Sequence, residues 1–119
     1  MNTDTSYTIE ALGKERLIIS GLINMDNVVT FVTDLTSQPY SLGQDIVLDM
    51  AETFFEDGMS ILLTINTFRS LGQRVNSLGL HYPSDALFDG IQGNGLLNTP
   101  GLAVSVVREK GKDLAEAED

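Results

Sequence analysis

The chain contains no cysteine. That absence removes disulfide staples, thiolate zinc sites, iron–sulfur clusters and thiol nucleophiles from consideration. Histidine is nearly absent too. His81 stands alone, with neither a second imidazole nor a thiolate beside which to build a transition-metal site. Positive charge is scarce: 7 Lys and Arg face 17 Asp and Glu, a formal net charge of −10 over 119 residues. Such a field repels a phosphate backbone and an anionic lipid surface alike, so nucleic acid is not expected as a partner. No apolar run approaches the ~20 residues of a spanning helix, and direct membrane insertion is not expected either. Residues 1–6 lack the basic and apolar regions of an export signal, which makes a cytoplasmic location the expectation. There is no G-x-S-x-G nucleophile elbow. Gly90-Ile91-Gln92-Gly93-Asn94-Gly95 is glycine-rich but lacks the Lys-Ser/Thr pair of a phosphate loop.

What remains is a chain that is 42% apolar, enough for one core. Residues 1–108 read as one domain and 109–119 as an acidic C-terminal tail. Residues 7–11 alternate as an edge strand, Gly13-Lys14-Glu15 turns the chain, and 16–20 return as a second strand. Val28, Phe31, Val32 and Leu35 fall at helical spacing after Asn24 or Asp26 as cap. Residues 46–50 read as a strand buried on both faces. From Asp57 to Leu71 the stripe Ile61, Leu62, Ile65, Phe68, Leu71 marks the clearest helix, with Asp57 as cap and Gly72 as a left-handed terminator. Residues 75–80 give a strand, with Val75, Leu78 and Leu80 inward. Pro83-Ser84-Asp85 opens a helix with Leu87, Phe88 and Ile91 inward, and 102–107 close as a strand. The expected fold is α/β, a mixed and mostly parallel sheet in the order β-β-α-β-α-β-α-β.

Chemistry-bearing groups are few. His81, beside Tyr82-Pro83, reads as a loop or edge residue. Glu52, Glu56 and Asp57 precede the main helix and could hold a hard cation. Carboxylates at a helix start also complement its dipole, and capping is the favoured explanation, so no metal and no cofactor are expected.

One stretch carries a resemblance. Leu48-Asp49, followed by Phe54-Phe55-Glu56-Asp57-Gly58-Met59-Ser60-Ile61, resembles the central strand–loop–helix of STAS domains, the family of bacterial anti-sigma factor antagonists. Leu71-Gly72-Gln73-Arg74-Val75 and the Pro83 to Leu96 segment extend the likeness, which covers about residues 7–97. The resemblance implies a STAS-like fold and a bacterial, non-enzymatic, protein-binding regulator of transcription. Its implied partner is an anti-sigma factor or kinase-like ATPase, and its implied docking surface is Glu56, Asp57, Gly58, Met59 and Ser60. In the family a Ser or Thr after the Asp is phosphorylated. Here that position is Gly58, which has no hydroxyl. Ser60 is the nearest alternative acceptor, and an ordinary first-turn role is the other reading of it. Two further functions stand beside this one. The first is an accessory subunit of a lipid-transport ATP-binding cassette complex, which needs no phospho-switch. The second is a small metal-dependent enzyme using Glu52, Glu56 and Asp57. Oligomeric state is not readable from the sequence.

Overall fold

In the computed structural model the described residues are 7–108; the expected tail at 109–119 lies outside them. The first strand, β1 (Tyr7–Leu12), turns through 13–15 into β2 (Arg16–Ile23). Gly13 takes φ +75° at that turn, a conformation that costs a residue without Cβ little. The chain then alternates: α1 (Val28–Thr36), β3 (Asp45–Phe55), α2 (Gly58–Gly72), β4 (Ser77–His81), α3 (Asp85–Gly93), a 3-10 turn (Leu96–Asn98) and β5 (Val104–Val107). The strands form one sheet in the spatial order β1-β2-β3-β4-β5. β1 pairs antiparallel with β2, and every other neighbour is parallel.

A chain that steps one strand at a time in the same direction, with crossovers of one hand, lays its helices on one side of the sheet. The packing agrees. A single core joins Leu17, Ile19, Ile23, Leu48, Met50, Leu78 and Leu80 from the strands to Phe31, Leu35, Ile65, Phe68, Leu87 and Ile91 from the helices. α1 packs on α2, and α2 on α3, as one layer. The opposite side of the sheet carries no helix of the described residues.

Several expectations are corrected. β3 is much longer than 46–50. It runs through 51–55, where a loop was expected, because its extension finds partners: Ser20, Gly21, Leu22 and Ile23 pair with Glu52, Thr53, Phe54 and Phe55. It is helix-covered on one face only. Between Ile18 and Ser20 the register shifts, so that Asp49 and Glu52 oppose residues two apart on β2. The extra residue in β3 reverses its alternation. Thr53 and Phe55 therefore turn toward the helices, while Glu52 and Phe54 turn away. Thr53 makes its burial affordable by donating from Oγ1 to the carbonyl of Ile19 at 2.6 Å.

On α2, Leu62 is 37% exposed, while Ser60 and Thr64 are buried in its place; the apolar stripe is rotated from the expected one. Gly72 does not end the helix in a left-handed turn, for Gln73 caps it in the right-handed region. Its lack of a side chain serves packing instead: a Cβ there would lie 3.3 Å from Leu102. α1 starts one to three residues later than Asn24 or Asp26 would set it. Asn27 holds the cap position without a side-chain bond to the helix, and Asn24 Oδ1 accepts from the amides of Asp26 and Asn27 just ahead of it.

Candidate functional site

The corner between β3 and α2 places the expected docking residues. The amide of Glu56 donates to the carbonyl of Ile23 at 2.9 Å, which ties down the end of the strand. Asp57 is extended at φ −149°, ψ 161°, and its Oδ1 accepts from the amide of Ser60 at 2.7 Å. That bond satisfies one of the orphan donors of the first helical turn. Asp57 is thus half-buried and committed to capping. Glu56 and Gly58 are exposed, and Met59 is 52% exposed. Ser60 differs from its neighbours. It is fully buried and its Oγ has no hydrogen-bond partner, so the hydroxyl faces the interior and is out of a kinase's reach in this conformation. The exposed corner therefore consists of Glu56, Gly58 and Met59, flanked by Phe54 at 52% exposure.

Gly58 has no special backbone need. It lacks a positive φ, and a Cβ built on it meets nothing within 4 Å. A hydroxyl-bearing side chain would fit at the position.

The three acids weighed as a cation site do not converge. Glu52 lies on the strand, exposed, and Asp57 is occupied by Ser60. Among the described residues no group of three metal-ligating side chains forms. A recess of about 370 Å³ lies at the other edge of the molecule, between β1 and α1, lined by Tyr7, Thr8, Ile9, Asp34, Ser37 and Gln38. None of the three acids lines it. Its polar pair is Tyr7 and Asp34, whose hydroxyl and carboxylate are 2.6 Å apart; burial, then that hydrogen bond, raises the phenol well above its ordinary range.

The structure adds a cluster that the sequence did not mark. His81 is neither loop nor edge: it ends β4, an interior strand. It pairs with Asp49 of β3, which is itself only 7% exposed. Asp49 Oδ2 accepts from Arg16 Nη2 at 2.8 Å, and Oδ1 accepts from the amide of Ala51 at 3.2 Å. Asp49 thus sits directly opposite His81, with Arg16 reaching it diagonally from its place opposite Val47, on three neighbouring strands of the helix-free face. Gly79 lies beside them, where a Cβ would make only ordinary contact, 3.5 Å from His81 Nε2 and from Val47 Cγ2. His81 Nδ1 is enclosed without a partner. Burial, and next the Arg16 charge, hold its pKa below the ordinary 6.5, with Asp49 opposing. Nothing in the sequence pattern marks this cluster, because the approach of residues 16, 49 and 81 is set by sheet register.

Comparison with protein-family models finds no matching family, and comparison with curated proteins finds no matching relative. No helix of the described residues is long and apolar enough to cross a membrane.

Proposed function

We propose that this chain is a protein-binding module of the anti-sigma factor antagonist type, docking through the corner between β3 and α2. The observation that carries this reading is the division of labour at that corner. Asp57 fixes the start of the helix from within, which leaves Glu56, Gly58 and Met59 outward on a preorganised backbone. A surface already ordered loses less entropy on binding. Met59 supplies an adaptable apolar contact and Glu56 a charge for a basic partner. The sequence likeness to STAS domains around Leu48-Asp49 and Asp57 supports the same reading.

Gly58 favours a second reading, a subunit of a lipid-transport ATP-binding cassette complex, in which the docking face works in one state without phosphorylation. The two readings separate on the identity of the partner. Affinity capture from the source cell with the parent chain, Met59→Lys and Glu56→Lys should yield a partner that both variants lose. A kinase-like ATPase supports the first reading and transporter subunits the second. Equal recovery of every captured protein by parent and variants would sink the docking corner itself. Asp57 is left intact in this test, because replacing it removes the helix cap, at about 1 kcal/mol.

A further inference from the structure

Parallel sheets are nearly always covered on both faces, because a buried strand is apolar on both sides. Here three helices cover one face and no described residue covers the other. That bare face carries large apolar side chains among its polar ones, several of them exposed. Leu12 is 57% exposed, Leu22 37% and Phe54 52%, and Leu22 and Phe54 are cross-strand partners. Ile18 and Val47 on the neighbouring strands are half-buried, as is Val107 at the far edge on β5.

We infer that this face is a second docking surface, and that its occupant is a basic amphipathic helix of a partner protein. Charge decides among the candidates. The face's cation, Arg16, is already tied to Asp49, whereas Glu10, Asp45 and Glu52 are exposed around it. The surplus is negative. A second copy would bring like charge against like, on a chain with net charge −10. Residues 109–119 hold Glu109, Asp113, Glu116, Glu118 and Asp119 against Lys110 and Lys112, so they would meet the same repulsion. A helix with leucines on one side and lysines at its margins matches both the apolar ground and the acidic rim. Five strands at ~4.8 Å spacing are crossed by a helix of about 14–18 residues. This surface adjoins the β3–α2 corner at Phe54, but the inference does not depend on docking at that corner.

The probe is an 18-residue Leu/Lys helical peptide, with a peptide of the same composition but unsegregated residues as control. Amide shifts are followed in the isotope-labelled full chain. The expected result is a shift map confined to the five strands of the sheet, with the segregated peptide binding about tenfold more tightly than the control. Ile18→Lys and the exposed-site variant Leu12→Lys should each weaken it by about tenfold, with thermal melts confirming folding, while Met59→Lys leaves it unchanged. Equal binding of the two peptides, shifts scattered over the acidic surface, or self-association of the free chain through this face would overturn the inference.

Discussion

At the scale of single residues, His81 is the group whose protonation the fold resists most plainly. Its pKa is held below 6.5 by burial and by Arg16 from β2, against the attraction of Asp49 from β3; Tyr82 stacks edge-on at 5.3 Å and Val107 lies beside it on β5. A folded-state pKa below the unfolded value means that the unfolded chain binds the proton first. Stability is therefore fully present above pH 6.5 and declines as pH falls through the lowered pKa. His81→Gln should flatten the slope of denaturation midpoint against pH in that window. An unchanged slope would place the titration elsewhere.

At the scale of elements, the contact of α2 with α3 is unusually close. A Cβ on Gly90 would lie 2.6 Å from Ile61 Cγ2 and 3.0 Å from Ile65 Cδ1. Overpacking costs about 1–3 kcal/mol, and the helical preference of Ala over Gly returns about 1. Gly90→Ala should thus lower stability by up to about 2 kcal/mol, read as a lower denaturant midpoint with unchanged slope. A stabilised variant would show that the two helices shift apart freely. This contact was not legible in the sequence, where Gly90 belonged to an apparently loose glycine-rich end. The elements themselves were legible where periodicity was strong: the hairpin, the positions of Val28, Phe31 and Leu35, the capping of α2 by Asp57, and the opening of α3 at Pro83-Ser84-Asp85, where Ser84 proves to be the cap. Phe88, expected inward, is half-buried beneath the Arg108 guanidinium at 3.9 Å. What failed did so for tertiary reasons. Residues 51–55 look like loop because Glu52 interrupts them, and they are strand because β2 offers a ladder. Of the candidate site, the capping role of Asp57 followed from helix-end chemistry, whereas Met59 entered through the likeness to the family. The burial of Ser60 and the alignment of Arg16, Asp49 and His81 followed from neither, since both depend on how elements are rotated and registered.

At the scale of the whole molecule, β3 sits at the centre of the sheet, between β2 and β4, while β1 and β5 form the edges. Ladder bonds on both sides and the helix layer above make the central strands the last to open. Native-state hydrogen exchange should find the slowest amides in β2, β3 and β4, with β1 and β5 exchanging earlier. Protection of either edge equal to that of β3 would point to a partner strand added there, which the Val-Ser-Val-Val composition of β5 would tolerate better than the charged edge of β1.

The additional residue that β3 carries beside Ile19 acts as a parity switch for the molecule's interior. Upstream of it the even-numbered positions Ile46, Leu48 and Met50 belong to the core; downstream the odd-numbered Thr53 and Phe55 do. One strand thus obeys two opposite inside-outside codes, joined at a single step. Without that step Glu52 would enter the core and Phe55 would leave it. The outward corner that precedes α2 exists because the chain miscounts once.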